Sequence, residues 1–316
     1  MLTWAAQRSA ARKEHAVQDF TGRVAVITGG ASGVGFGQAR LFGELGCKVA
    51  IVDVRQDALD SAAADLRERG VTVHPVRLDI RDREAWRRAA DDVEDHLGDT
   101  PTLLFNTAGV NGFGALAEAS YADLDWSMDV NFGGVVNGIQ TLLPRMLARG
   151  NGGHIVSVAS MAGFQGSPSA AIYAASKAAV INLMESYALA LPAKGIGVSV
   201  LCPASVRTDI AHTLDRRPEE LADGSSFISD PRFVELQRRL YAGGMDPMEL
   251  AGHVRDAIVA GRFWVLPFPE TRDGLRTHFE EILAAYDDVV TDPEAAAERA
   301  RAFEEYRAQA ARLRAS

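Results

Sequence analysis

Along the chain, short runs of consecutive apolar and β-branched residues alternate with longer segments whose apolar positions recur at three and four. The short runs are Val24–Thr28 (VAVIT), Cys47–Asp53 (CKVAIVD), Val71–Asp79 (VTVHPVRLD), Thr102–Gly109 (TLLFNTAG), His154–Ser160 (HIVSVAS), Gly197–Pro203 (GVSVLCP) and Arg262–Pro269 (RFWVLPFP). Continuous apolar runs of this length read as strands buried on both faces. The segments between them read as helices: from the glycine turn at Thr28–Gly35 to Gly46, Ala58–Arg69, Arg83–Leu97, Tyr121–Leu147, Ala170–Leu191 and Pro247–Gly261. In the Tyr121–Leu147 helix a bend is expected near Gly133-Gly134 and Pro144. Regular alternation of strand and helix predicts an α/β fold, a doubly wound parallel sheet with helices on both faces.

Two segments depart from this rhythm. Arg207–Gly244 is rich in charge, Pro, Gly and Ser, with a helical patch at Arg232–Leu240, and reads as a lid or substrate loop. Glu270–Ser316 is rich in Ala, Glu and Arg and reads as helical, with Phe279, Ile282, Leu283 and Tyr286 as an apolar stripe. The expected organisation is an N-terminal arm at 1–19, loose or partly helical, a single domain at 20–270 and a helical C-terminal extension at 271–316.

Composition narrows the functional classes. The 316 residues carry a formal charge of -9, which disfavours nucleic acid and anionic membranes as partners. No apolar run is long enough to span a bilayer, and the N-terminus has no apolar signal core, so a cytoplasmic location is expected. Cys47 and Cys202 both lie in apolar surroundings and read as buried, reduced thiols. The seven histidines show no metal-ligand spacing, so no metal is expected.

The glycine turn between the first strand and the first helix suits a pyrophosphate: glycines admit close backbone approach, and the helix start offers free N–H groups. Asp53, ending the second strand, is placed to accept from ribose hydroxyls and to repel a 2'-phosphate by on the order of 4 kcal/mol at ~4 Å and an effective dielectric of ~20. NAD is therefore expected over NADP, with Arg55 as the one nearby cation able to swing towards a phosphate. Tyr173 and Lys177, four apart, share one face of their helix. A phenol with an ordinary pKa of ~10 needs about 4 kcal/mol to work as a base near neutrality, and one ammonium at ~4 Å supplies about that much.

The ordered set TGGASGVG, Asn106-Thr107-Ala108-Gly109, Asn131, Ser160, YAASK at Tyr173–Lys177 and PASVRT at Pro203–Thr208 resembles the short-chain dehydrogenase/reductases over roughly residues 20–270. The resemblance implies a Rossmann fold of that family's type. It implies that Tyr173 is the general acid/base and that Lys177 lowers its pKa and binds the nicotinamide ribose. Ser160 would hold the substrate oxygen, and Asn131 a water on a proton path. Thr28, Gly29, Ser32, Gly33, Val34 and Gly35 would line the pyrophosphate. Asp79 and Ile80 would flank the adenine, Asn106, Ala108 and Gly109 would pass beside the cofactor, and Pro203, Val206 and Thr208 would meet its nicotinamide end. Thr107 and Ala204 depart from the family's usual Asn and Gly. A narrower resemblance, carried by ITGGASGVGFGQA, TLLFNTAGVNGFG, INLMESYALAL and FPETRDGLRTHFEEIL, is to bacterial dehydrogenases that oxidise the benzylic Cα alcohol of lignin-derived β-aryl ethers with NAD.

The substrate is expected beside Ser160 and Tyr173, with Met161 and Phe164 on one wall and Val110, Asn111 and Phe113 on another. This mostly apolar lining suits a hydrophobic or aromatic secondary alcohol or its ketone. A steroid-like, general ketone/alcohol or 3-oxoacyl reductase is the alternative within enzymes, and a catalytically silent cofactor-sensing scaffold the alternative outside them. The family implies a homo-oligomer, formed through the Tyr121–Leu147 and Tyr173 helices.

Overall fold

Seven parallel strands form the centre of the computed structural model, in the order β3-β2-β1-β4-β5-β6-β7. The structure describes residues 17–112, 114–208, 210, 213, 217–221 and 231–315. The strands are β1 Val24–Thr28, β2 Lys48–Asp53, β3 Val73–Arg77, β4 Leu103–Asn106, β5 Gly153–Val158, β6 Ile196–Leu201 and β7 Trp264–Val265. The expected doubly wound α/β sheet is thus present. Its strand order reverses between β1 and β4, where an open crevice forms beyond the strand ends.

Period-two alternation builds a core on each side of the sheet. Val24 and Val26 face one cluster, which continues through Trp86, Ile139 and Met184. Ala25 and Ile27 face the other, which continues through Phe42, Leu59 and Val254. The first face is covered by α3 (Arg83–Leu97), α5 (Gly134–Arg149) and α6 (Ala171–Ala190). The second is covered by α1 (Gly33–Glu44), α2 (Gln56–Glu68) and α8 (Pro247–Val259). Cys47 and Cys202 are buried free thiols, each pushed up to about 12 by burial.

Local expectations were met with a few instructive differences. The long Tyr121 segment is α4 (Tyr121–Met128) and α5 joined by a π-helical turn at Asp129–Gly133, in which Gly134 N–H reaches back to Asp129 O. The irregularity therefore runs into the expected Gly133-Gly134, while Pro144 sits inside α5. The last strand is only two residues long, because Pro267 and Pro269 remove the donors that would extend it. At the start, Val17 and Phe20 are buried in the second core cluster, and Gln18 donates to Val259 O at 2.8 Å. Residues 1–16 of the expected arm lie outside the described residues, as do Phe113 and much of the expected lid. What is described of the lid includes a helix, α7, at Pro231–Ala242, matching the helical patch.

The chain divides into two compact units, Met1–Pro269 and Glu270–Ser316. The second contains α9 (Arg272–Ala284) and α10 (Pro293–Ala315), with Phe279, Ile282, Leu283 and Tyr286 exposed. Among the described residues no helix is long and apolar enough to cross a membrane.

One buried histidine ties stability to pH. His154 in β5 is 1% exposed and shares a 2.8 Å hydrogen bond with Ser199 Oγ, while its Nδ1 has no partner. Burial holds its pKa down at about 3, against 6.5 for a free imidazole. The unfolded chain therefore takes up a proton that the native state refuses. The histidine's contribution to stability is complete above the unfolded value and is lost as pH falls from about 6.5 towards 3. His154→Gln should flatten the pH dependence of the urea midpoint across that window. An unchanged slope would place the acid sensitivity elsewhere.

Candidate active site

At the reversal point of the sheet, backbone groups leaving β1 and β4 need partners, and Thr28 supplies them. Its Oγ1 accepts from Thr107 N–H at 2.9 Å and Ala108 N–H at 3.1 Å, and lies 3.4 Å from Phe105 O. Gly29 follows with φ +64, and a Cβ there would stand 2.9 Å from Ala108 Cα. The two turns are thus packed backbone to backbone. Thr107 donates to Gln38 Oε1 at 2.5 Å, so the replacement of the family's asparagine is met by a buried partner on α1. Asn106 donates to Ser157 Oγ at 3.1 Å and turns its carboxamide oxygen towards Gly138 on α5. Its side chain therefore ties β4 to β5 within the sheet, and only its backbone runs along the crevice.

The first turn of α1 is left open. Ser32 precedes it in extended conformation without capping it, so the N–H groups there are not covered by its side chain. A Cβ on Gly35 would lie 2.2 Å from Gly29 O, and Gly33 abuts Thr208 Cγ2. Val34 packs partly buried on the second core cluster. These features fit a pyrophosphate, which needs unpaired N–H donors at the helix start and a surface free of side chains.

Two Asp-x-Arg turns border the same crevice. At the end of β2, Asp53 accepts from Arg55 N–H and Nε at 3.1 Å each and from Nη2 at 3.2 Å, and Arg55 Nη2 also donates to Ser32 Oγ at 2.9 Å. After β3, Asp79 accepts from Arg81 N–H at 3.0 Å and from its guanidinium at 2.6 to 3.1 Å. Burial pushes the Asp79 carboxyl up, but the Arg81 hydrogen bonds and charge outweigh it and hold the pKa below the usual value. Ile80 is buried, and its carbonyl accepts from Trp86 Nε1 and Asn137 Nδ2, both at 3.0 Å. The sequence pointed to Asp53, Asp79 and Ile80 but left Arg81 unnoticed, although its i+2 spacing repeats that of Arg55.

Ser160, Tyr173, Lys177 and Asn131 converge where β4, β5 and α6 meet. Ser160 follows β5 and caps the short turn Met161–Phe164, accepting from Ala162 N–H at 3.1 Å, and its Oγ faces Pro203 O at 3.5 Å. Lys177 is 3% exposed, donates to Val158 O at 2.8 Å and stands 5.6 Å from the Tyr173 ring centre. The Asn131 amide nitrogen donates to Val110 O at 2.9 Å and to Ser176 Oγ at 3.0 Å, while its oxygen accepts from Val110 N–H at 2.8 Å. The side chain therefore clamps both backbone groups of Val110 and, through Ser176, which donates to Tyr173 O at 2.7 Å, the helix carrying Tyr173. It is held in the π turn, where an inserted residue re-aims the side chain.

The expected depression of the Tyr173 pKa is not seen in these residues alone. Burial raises it, the neighbouring Tyr241 adds to the rise, and only the Ser160 hydrogen bond opposes it. Lys177 is itself depressed to about 8 by burial. Desolvation of both groups outweighs their mutual attraction because the ammonium is turned to the Val158 carbonyl.

Beyond the strand ends, Pro203 O accepts from Met161 N–H at 3.0 Å, and Val206 is buried and bridges to Met245. Phe164 packs beside Trp264, ring centres 5.8 Å apart, and Met161 lies against the first core cluster. Asn111 is 3% exposed, and its backbone is held by Thr213 Oγ1, which accepts from Asn111 N–H at 2.9 Å and donates to Asn111 O at 2.8 Å. Tyr241, at the end of α7, packs on Ala170 and Tyr173. Gln38, Thr213 and Tyr241 were all missed in the sequence: Gln38 sits just past the glycine turn but was given no role, and Thr213 and Tyr241 lie outside the motifs.

One group among the described residues has metal-ligand chemistry: His74, Asp92 and His96. The imidazoles stack 4.1 Å apart at 12°, so their in-plane lone pairs run parallel and do not converge on one ion. His74 Nε2 pairs with Asp92 Oδ2 at 2.6 Å, a partly exposed hydrogen-bonded pair.

A family model for short chain dehydrogenases matches residues 23–219. The chain is 44% identical over 287 residues to the C alpha-dehydrogenase of Sphingobium sp. (strain NBRC 103272 / SYK-6), covering 91% of this chain and 94% of that protein. It is similar to the crystal structure of LigD in its apo form from Sphingobium sp. strain SYK-6, with a TM-score of 0.72, 43% identity and coverage of 87% of this chain and 100% of that one. A short chain dehydrogenase/reductase from Burkholderia phymatum, solved in complex with NAD, matches with a TM-score of 0.80, 35% identity and coverage of 88% and 99%.

Proposed function

The chain belongs to the short-chain dehydrogenase family and is an oxidoreductase of CH–OH groups that uses a nicotinamide cofactor; from that premise we propose that it oxidises the benzylic carbinol of a bulky aromatic secondary alcohol to the ketone, with NAD preferred. The observation that carries the chemistry is the convergence of Ser160, Tyr173 and Lys177 in one buried corner. Support for the substrate class is the 44% identity to a C alpha-dehydrogenase along 91% of the chain.

The open first turn of α1, the close glycine approach and Asp53 fit a dinucleotide with its nicotinamide near Tyr173. When bound, the nicotinamide supplies the hydride acceptor. The residues of the chain do the rest. Ser160 Oγ and Tyr173 would hold the carbinol oxygen between them. Tyr173 first gives its own proton to solvent and stands as the phenolate favoured by the Lys177 ammonium and the positive charge of the oxidised nicotinamide. It then takes the carbinol proton as the carbon loses hydride to the cofactor. Lys177 places a positive charge under the phenol and, with a pKa of about 8, still carries its proton at neutral pH. Asn131 fixes Val110 and α6, so the acid/base and the crevice keep their spacing. Tyr173→Phe should lower kcat by about a hundred-fold or more while dinucleotide binding, read by fluorescence quenching, survives. Retained turnover would remove Tyr173 from the acid/base role.

The preference for NAD rests on Asp53. Its carboxylate ends β2 beside the glycine turn, where it would repel a 2'-phosphate, and Arg55 hydrogen-bonds both Asp53 and Ser32. We expect kcat/KM to favour NAD over NADP by at least about ten-fold, and Asp53→Ser, which frees Arg55, to narrow the gap. Equal use of both cofactors by the wild type would overturn this.

The same reading makes the protein a cytoplasmic homo-oligomer. Exposed apolar side chains on α9, namely Phe279, Ile282 and Leu283, support self-association. Purified from the soluble fraction of cells, the full chain should scatter light as a dimer or larger. A monomer at micromolar concentration would refute it.

A further inference from the structure

The buried residues of α4 are Asp123, Trp126 and Ser127, spaced to share one helical face. Two of them meet the lid. Asp123 Oδ1 pairs with Arg217 Nη1, and the Arg217 guanidinium lies 5.6 Å from the Trp126 ring centre. Both members of the pair are removed from water, the Arg217 side chain being 8% exposed and that of Asp123 3%. The other carboxylate oxygen, Oδ2, accepts from Ser120 N–H and Ser120 Oγ at 2.7 Å each. Asp123 therefore cannot follow Arg217 without opening the start of its own helix. Arg217 Nε and Nη2 have no partner among the described residues, so Asp123 and the Trp126 ring are the seat of this guanidinium.

The third residue faces the acid/base corner. Ser127 Oγ accepts from Asn131 Nδ2 at 3.3 Å, and Asn131 clamps both backbone groups of Val110. Four residues before Arg217, Thr213 grips both backbone groups of Asn111. Three residues earlier still, Ile210 packs against Ala170 and Tyr173. A ring of contacts results. It runs from Val110 through Asn131 and Ser127 along α4 to Asp123, across to Arg217, back along the chain to Thr213, and on to Asn111, which adjoins Val110. Gly109, one residue before, passes Lys177, whose Nζ is 3.4 Å from where a Gly109 Cβ would stand. The 109–111 strip is thus held from the lid and from the π turn, and the Arg217–Asp123 pair joins those two holds to each other. Breaking a buried pair strands a charge away from water, so the segment that carries Arg217 would have to leave for solvent.

We propose that Arg217 is a positioning residue: seated on α4, it couples the lid to the π turn of Asn131 and so fixes the Val110–Asn111 strip against the acid/base corner. It acts through Thr213 and through α4, not on the reacting atoms. The proposal rests on the oxidoreductase reading for its effect on turnover, while the coupling itself is independent of substrate.

Hydrogen exchange on the full-length protein, with the Val110 and Asn111 amides resolved, tests the coupling without any alcohol. In Arg217→Met, which keeps most of the stem and removes the charge, both amides should exchange at least about ten-fold faster, while the amides of β1 and α1 keep their protection. Ser127→Ala should speed Val110 in the same direction. The two substitutions together should do little more than Arg217→Met alone, because a ring already open gains little from a second break. With NAD and a benzylic alcohol, Arg217→Met should lower kcat by about ten-fold and leave the KM for NAD within about two-fold. A merely structural role would lower the urea midpoint and move neither the exchange of Val110 nor the kcat of the folded enzyme, and that result overturns the proposal. So does strict additivity of Arg217→Met and Ser127→Ala. If Arg217→Met does not fold, Arg217→Lys is read on the same amides: it keeps a cation for Asp123 but not the planar fork, so exchange should lie above that of the wild type, and unchanged exchange sinks the proposal. If the wild type oxidises no alcohol and loss of Arg217 still frees Val110 and Asn111, the coupling stands and the assigned reaction falls.

Discussion

Two backbone N–H groups, those of Thr107 and Ala108, have to be satisfied where β1 and β4 part, and a single hydroxyl, Thr28 Oγ1, satisfies both. Much of the site depends on that junction. With the β4 exit held there, Gly29 can rest against Ala108, Gly109 runs past Lys177, and Val110 comes within reach of Asn131. The crevice is the natural consequence of reversed strand order in a parallel sheet.

The acid/base corner shows the opposite economy. Tyr173 and Lys177 are both removed from water, and burial moves each pKa towards its neutral form. The scaffold tolerates this because the surrounding polar groups are nearly all paired: Lys177 with Val158, Asn131 with Val110 and Ser176, Ser160 with Ala162. A satisfied network in a low dielectric is rigid, and rigidity is what a proton-transfer site requires. Among the described residues near the crevice, Gln38 Nε2, Asn106 Oδ1 and Asn111 Oδ1 are left without a partner.

Much of this was legible in the sequence because it rests on local periodicity. β1 and α3 were read to the residue, and most other elements to within a few positions, since apolar runs and turn residues mark them. The last strand was overestimated because hydrophobicity alone does not count missing prolyl donors. Asn131 was recognised by its place in an ordered set, but neither its clamp on Val110 nor the π turn that holds it has a signature in composition. Asn106 was read as passing beside the cofactor; that its side chain joins β4 to β5 was not legible. Gln38 came to light only through the Thr107 hydroxyl it receives.

By itself the sequence determined the strand and helix alternation, the phosphate-suited glycine turn, the carboxylate at the end of β2 and the Ser160, Tyr173, Lys177 set. Each of these depends on residue type and short spacing, which the chain carries in one dimension. The tertiary structure decided how Arg55 divides its donors between Asp53 and Ser32 and how Thr213 grips Asn111. It also decided that a tyrosine from α7 comes to rest on Tyr173. Apart from the local Arg55–Asp53 contact, these are pairings between residues distant along the chain, each made at a different strand end or loop. They exist only once the sheet has brought those ends together, so no spacing rule could have announced them.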